Sequence, residues 1–258
     1  MNQVSRAGPS DAGWVSLYRA GGVAALVAGI LFRRNLAAEI GLFVQHEPPV
    51  TAGDWFNLLQ SNRLLGLAYL NVFDLVNYAL VALIFLALYA ALRRASKSYM
   101  AIAALLGFLG IAVYFASNPA LSMLSLSEQY TAATTGAQRT TLRGAGEALL
   151  ALGRFTAPGS HPGTGGYVSL LLVAMAGTIA SVVMLRADLF NRATAYVGIL
   201  AGALDIAYCL AFAFVPNADS ELLALLFIPA AGLLWMLWHI MVGWKLLRPG
   251  NEAAPDPL

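Results

Sequence analysis

Two aspartates carry most of the chemical information in this chain. Asp74 lies in YLNVFDLVNYAL and Asp205 in GALDIAYCLA, each inside a long apolar run. A carboxylate at the centre of a membrane-spanning helix costs about 2.5–3.5 kcal/mol on insertion scales. Each acid must therefore turn towards protein or water, or carry a proton. Asn71, Asp74, Asn77 and Tyr78 recur at i, i+3, i+6 and i+7, a spacing that puts them on one face of a helix. Both acids stand ten residues past the start of their apolar runs, about 15 Å in at helical rise, so both are expected near the bilayer midplane. Acids so placed could bind a cation or hand protons from one side to the other. The alternative is two buried acids held by Asn, Tyr or backbone partners that lock helices together.

The other reactive side chains form weaker patterns. His46 and His161 fall between apolar runs and, with Glu47 or Asp54, offer an outer-loop metal site. His239 stands about 27 Å along the last helix, so the three histidines cannot meet in one zinc site of the three-histidine kind. No HExxH, GxSxG, GxxxxGK[ST] or GxGxxG occurs, and no span carries a central Lys. The sequence thus names no catalytic residue, no resident metal and no cofactor. Trp235, Trp238, Trp244, Lys245 and Arg248 around His239 are expected to anchor the last helix at a membrane interface.

The elements that position these residues follow from composition. Of 258 residues 59% are apolar or aromatic and 11% charged, against about half and a quarter in ordinary soluble domains. Mean hydropathy is +0.71. So few charges cannot cover a water-facing surface, which excludes a disordered chain and a nucleic-acid binder. One cysteine, Cys209, excludes an internal disulfide framework. The fold class is all-α: a polytopic transmembrane bundle of six helices over about 14–32, 64–92, 99–123, 166–185, 195–215 and 221–247. These flank an N-terminal tail, 1–13, and a C-terminal tail, 248–258. Runs this long lack the ten-residue alternation of a membrane barrel, and helices satisfy every backbone group internally. The second run would reach about 43 Å, longer than the hydrocarbon core, and is expected to tilt or project.

Basic residues orient the bundle with both termini inside. On that topology Arg6, Arg19, Arg93, Arg94, Lys97, Arg186, Arg192, Lys245 and Arg248 are cytoplasmic, and Arg33, Arg34, Arg63, Arg139, Arg143 and Arg154 are outer. The dense turns RRASK and RADLFNR set this orientation. A signal peptide is the competing view of the first run, but no small-x-small site follows it and Arg33–Arg34 stands there instead, so an uncleaved helix is expected. Leu142, Leu149, Leu150 and Phe155 form an apolar stripe in the long outer segment, suited to a helix that lies along the headgroups or caps the bundle. Gly21, Ala25 and Gly29, Gly198 and Gly202, and Gly177 with Ser181 would let helices approach closely, within one chain or in a homo-oligomer. Opposite orientation of the first three and last three spans, with one Asp in the middle helix of each, also suggests a weak 3+3 inverted repeat.

The segments YRAGGVAALVAGILF, NVFDLVNYALVALIFLALYAALRR and LFNRATAYVGILAGALDIAY together resemble a bacterial six-span family catalogued only as a domain of unknown function. The likeness covers roughly 18–247. It implies a bacterial cytoplasmic membrane location and six spans, and it supplies no catalytic residues. Where such proteins often carry a His before the fourth span, this chain has GTGGYVSL. The partners expected are the lipid bilayer and a small solute or ion, with no nucleic acid. The leading expectation is binding or transport of a small solute, proton or cation around Asp74. An intramembrane enzyme acting on a lipid-like substrate, and a non-catalytic sensor or partner-stabilising module, are the alternatives.

Overall fold

The computed structural model describes residues 14–45, 49–152, 163–215 and 220–248, with side chains outside 32–45 and 220–225. Among the described residues there is no strand; ten helices follow one another. They are α1 (Val15–Gln45), α2 (Ala52–Ser61), α3 (Arg63–Tyr69), α4 (Val72–Leu92), α5 (Lys97–Ser117), α6 (Ala120–Ala132), α7 (Gly136–Ala151), α8 (Thr164–Met184), α9 (Arg192–Phe214) and α10 (Ser220–Leu247).

Six of these make a closed ring in chain order: α1 packs on α4, α4 on α5, α5 on α8, α8 on α9, α9 on α10, and α10 back on α1. Among the described residues five apolar stretches are long enough to cross a membrane, and Val15–Leu31 is a shorter apolar stretch. Val23, Ile30, Val76, Leu105, Leu200 and Leu233 stand on the outside of the ring, each at least half exposed. An apolar belt of this kind suits contact with lipid rather than water. The ring is a polytopic helical membrane bundle. Its helices meet through small residues: Ala25, Ala28, Ala87, Ala103, Ala176 and Ala180 are buried in the shared core. A side chain on Gly198 would strike Ser181, and one on Gly202 would strike Thr178. Both glycines of that GxxxG pair are thus used within the chain, where small residues let backbones approach in lipid.

The remaining helices build a second core at one end of the ring. Trp55, Phe56 and Leu59 of α2, Tyr69 and Leu70 at the end of α3, Ala120 and Met123 of α6, and Leu150 of α7 are all buried together. We refer to this unit as the cap. Of the apolar stripe in the outer segment, Leu149 and Leu150 join the cap core, Leu142 is half-buried, and Phe155 lies outside the described residues.

Two breaks join cap and ring. The stretch 64–92 is not one tilted span: its first part belongs to the cap as α3, and the helix breaks at Asn71, which adopts φ 55 and ψ 36 in the left-handed region. Asn is among the few non-Gly residues that enter this region readily. The second break is at Asn118–Pro119, between α5 and α6. Together 97–132 form one apolar stretch of 36 residues, about 54 Å at helical rise and too long for a hydrocarbon core of about 30 Å. The surplus is α6, which belongs to the cap.

Candidate functional site

The first helical turn of α4 places Asp74. Asn71 is the N-cap and Asp74 the third residue of the helix, where free backbone N–H groups and the helix dipole favour a carboxylate. The Asp74 amide donates to the Asn71 carbonyl at 3.1 Å. One turn on, Tyr78 stacks face to face on Tyr114 of α5, ring centroids 4.1 Å apart and planes within 7°. The Tyr114 hydroxyl donates to Asp74 Oδ2 at 3.3 Å. Asn118 Nδ2 lies 3.5 Å from that hydroxyl and 3.4 Å from the carbonyls of Leu70 and Asn71. The side chain at the second break thus holds the backbone of the first. Asn77 is 5% exposed, and its buried Oδ1 has no hydrogen-bond partner among the described residues.

Asp205 is positioned differently. It is the fourteenth residue of α9 and 6% exposed, so it sits deep in the ring. Trp235 of α10 donates its Nε1–H to Asp205 Oδ2 at 2.7 Å, a charge-assisted bond. The backbone carbonyl of the same Trp235 lies 2.7 Å from His239 Nδ1. A carbonyl has no proton to give, so Nδ1 carries the hydrogen and donates it. That leaves Nε2 as the nitrogen that accepts or takes up a proton. Trp238 packs edge-on against both Trp235 and His239, at 5.2 and 5.3 Å between centroids.

These residues surround one cavity of about 230 Å³ inside the ring. Asn71, Asp74, Asn77, Tyr78 and Phe85 line it from α4 and its cap, Tyr114 from α5, Leu170 and Val173 from α8, Asp205 from α9, and Ile228, Trp235, Trp238 and His239 from α10. The lining from Asn71 to Phe85 spans about 21 Å at helical rise. It contains two carboxylates and neither Lys nor Arg. Engineered apolar cavities of about 150 Å³ hold benzene, so this one has room for a small organic molecule.

Asn71, Asp74, Asn77, Tyr78 and Asp205 therefore meet in one place, but not in the arrangement expected from spacing. Asp74 is at the cap end of its helix rather than ten residues in, because the preceding apolar residues leave the ring. Asn71 precedes the helix instead of sharing its face. With Asp74 at the start of α4 and Asp205 past the middle of α9, the two acids are not equivalent positions of an inverted repeat. The anchoring group also divides. Trp244 is exposed and Arg248 stacks over it at 3.8 Å, whereas Trp238 and His239 are buried and Trp235 faces the cavity. The i, i+3, i+4 spacing of Trp235, Trp238 and His239 was the signal for this inward face. Tyr114, a residue without a distinctive sequence context, carried none.

His46, His161 and Glu47 lie outside the described residues. Asp54, grouped with them from sequence, is engaged as the first-turn acid of α2: Thr51 donates to its Oδ2 from the backbone N at 3.0 Å and from Oγ1 at 2.6 Å. Among the described residues no group of three or more His, Cys, Asp or Glu is placed to hold a metal.

A ring of apolar helices around an internal cavity that holds two carboxylates, with a second helical core at one end, defines a multi-pass membrane protein. The chain belongs to the family described as Domain of unknown function (DUF4386), whose model matches residues 16–243. The match takes in the cap core, nearly all of the ring core and every residue that lines the cavity. No curated protein and no solved structure matches the chain.

Proposed function

We propose that the protein binds a small cation in the ring cavity and exchanges it across the capped end, as a membrane-embedded carrier or receptor. One observation supports this reading above the others: Asp74 and Asp205 line the same cavity with no Lys or Arg among the lining residues. Two carboxylates that line one cavity inside apolar helices make it electronegative, which favours a cation there. A purely structural role for the acids would favour a filled interior, and an enzyme would need a nucleophile or base whose placement near a reacting atom could be named. Dense basic turns at the end opposite the cap, with Arg93, Arg94, Lys97, Arg186 and Arg192, favour that end as the inner one. The cap and Asp74 would then face outward.

The test is charge displacement on a solid-supported membrane after rapid exchange into sodium, potassium or small ammonium salts. The wild-type protein should give a saturable displacement with at least one cation. Asp74→Asn and Asp205→Asn should each weaken the apparent affinity by about tenfold or more, the equivalent of 1.4 kcal/mol. Displacements of unchanged size and midpoint in both variants would overturn the reading.

A further inference from the structure

We infer that the end of the ring opposite the cap docks on anionic phospholipid headgroups, around the start of α1 where it lies between α4 and α10. This stands apart from the cation reading, because none of the residues concerned is among those that line the cavity. Antiparallel packing brings the helix ends together. The Tyr18 hydroxyl of α1 donates to the Ala90 carbonyl of α4 at 3.4 Å, and a Cβ on Gly22 of α1 would strike Leu247 of α10. The start of α1 thus meets the last turns of α4 and α10. Two bases at this level lie over indoles. Arg93 Cζ is 4.5 Å from the centre of the Trp14 ring, and Arg248 Cζ is 3.8 Å from that of Trp244. Arg19, three residues before Gly22, is exposed beside them.

Charge separates the two ends of the molecule. Arg19, Lys245 and Arg248 join the bases of the two dense turns, and among the described residues Asp188 is the one acid with them. On the cap, Arg63, Arg139 and Arg143 are matched in number by Asp54, Glu128 and Glu147. There Arg63 is paired with Glu128 at 3.2 Å. A surplus of one sign over a whole face attracts the opposite sign, and an anionic leaflet draws each Lys or Arg held near it. The surroundings name the occupant. Val15, Val23 and Ile240 are exposed and lead from this face into the apolar belt, so lipid is what borders it. Trp is favoured at headgroup level, and Trp244 is 55% exposed. A guanidinium held over an indole keeps N–H donors for phosphate, which it grips through two parallel bonds. A phosphodiester headgroup with no cation of its own fits this face. A choline would add positive charge where there is already a surplus.

The experiment reconstitutes the full chain into phosphatidylcholine bilayers and reads lipid immobilisation by electron spin resonance. The two probes are phosphatidylglycerol and phosphatidylcholine, each spin-labelled on an acyl chain. At about 10 mM salt the protein should hold phosphatidylglycerol about threefold more strongly. The ratio should fall towards one at about 1 M, where the Debye length has shrunk from about 30 Å to about 3 Å. Arg93→Gln combined with Arg248→Gln should lower the low-salt ratio by about twofold. Arg63→Gln combined with Arg139→Gln removes the same charge from the cap and should leave the ratio unchanged. The salt titration needs no variant, so the inference stays open to failure even where a variant does not fold. Equal immobilisation of the two lipids at low salt would overturn it and leave the face to a soluble acidic partner. A ratio that the Arg93 and Arg248 pair does not change, or that the cap pair lowers equally, would overturn it as well.

Discussion

The cap and the ring are two cores of one chain, built by different rules. In the cap, large side chains do the filling: Trp55, Phe56, Leu59, Tyr69 and Met123 are each at most 4% exposed. Three of its four helices, α2, α3 and α7, also begin with side-chain caps. Thr51 with Asp54, and Thr135 with Gln138, form reciprocal capping boxes at α2 and α7. In the ring, the close crossings are made by Ala and Gly, and α4, α5 and α8 start without a side-chain cap bond, while α9 is capped by Asn191. Solvent explains the contrast. Removing apolar area from water yields about 25 cal/mol per Å², so a cap that meets water gains from each large side chain it buries. A leucine leaving lipid for a protein interior gains almost nothing by that route, and what remains is van der Waals contact between closely approaching backbones. The cap should therefore be damaged by removing bulk, and the ring by adding it.

The largest effect should come from Trp55→Ala. Truncating a fully buried aromatic residue costs about 3–5 kcal/mol, and Trp55 stands at the centre of the cap with Tyr69 edge-on at 6.4 Å. Hydrogen exchange should show α2, α6 and α7 losing protection while α8 and α9 keep theirs. Leu200→Ala, at a lipid-facing position 52% exposed, should leave exchange unchanged in both regions. If Leu200→Ala costs as much as Trp55→Ala, the two-solvent account fails.

The complementary change is Gly21→Leu. A Cβ on Gly21 would collide with the Cβ of Ala87, across the seam between α1 and α4. Neither partner is the flexible end of a long side chain, so the helices must separate. Over-packing of this kind costs about 1–3 kcal/mol. Thermal unfolding in detergent should fall accordingly, with cap protection retained. An unchanged melting profile would mean that the seam is not close-packed.

How far the sequence reveals this architecture depends on the range of the forces involved. The ring was legible because hydropathy acts on each helix separately, and the pairing of Asn71, Asp74, Asn77 and Tyr78 with Asp205 was suggested by the cost of burying their polar groups. The break at Asn71 was not. Within LGLAYLNVFDL apolar residues continue on both sides of Asn71, and the break is held by Asn118 from 47 residues away. Trp235 was equally ambiguous: near a basic helix end, an indole suits an interface as well as a buried carboxylate. Only the approach of α9 to α10 decides which, because it brings Asp205 within reach of the indole N–H. The expected symmetry between the two acids failed for a related reason. It took depth from the edge of an apolar run, and part of that run serves the cap.

The smallest expected effect concerns the first turn of α2 and depends on pH. The Asp54 carboxylate is held below the usual aspartate range, first by the Thr51 hydroxyl, then by the Thr51 backbone N–H, with a further contribution from Arg143. A carboxyl group with a depressed native pKa stabilises the folded state fully above its unfolded value of about 3.9, and that contribution is lost as pH falls through the native value. The N-terminus of α2 also receives Glu147 of α7, whose Oε1 accepts from the Ala52 amide at 2.6 Å, so the turn links two cap helices. Lowering the pH from 6 through 4 and below should therefore open α2 first, seen as exchange of its early amides. Thr51→Ala removes the hydroxyl that contributes most to the shift. In that variant α2 should exchange faster at pH 6 and lose less protection on acidification than in wild type. The ring, which lies apart from the Thr51–Asp54 box, should show no corresponding difference between the two proteins. Parallel pH profiles for wild type and Thr51→Ala would mean that the box does not govern the α2 terminus, and would weaken the distinction between a cap fastened by polar side chains and a ring closed by small ones.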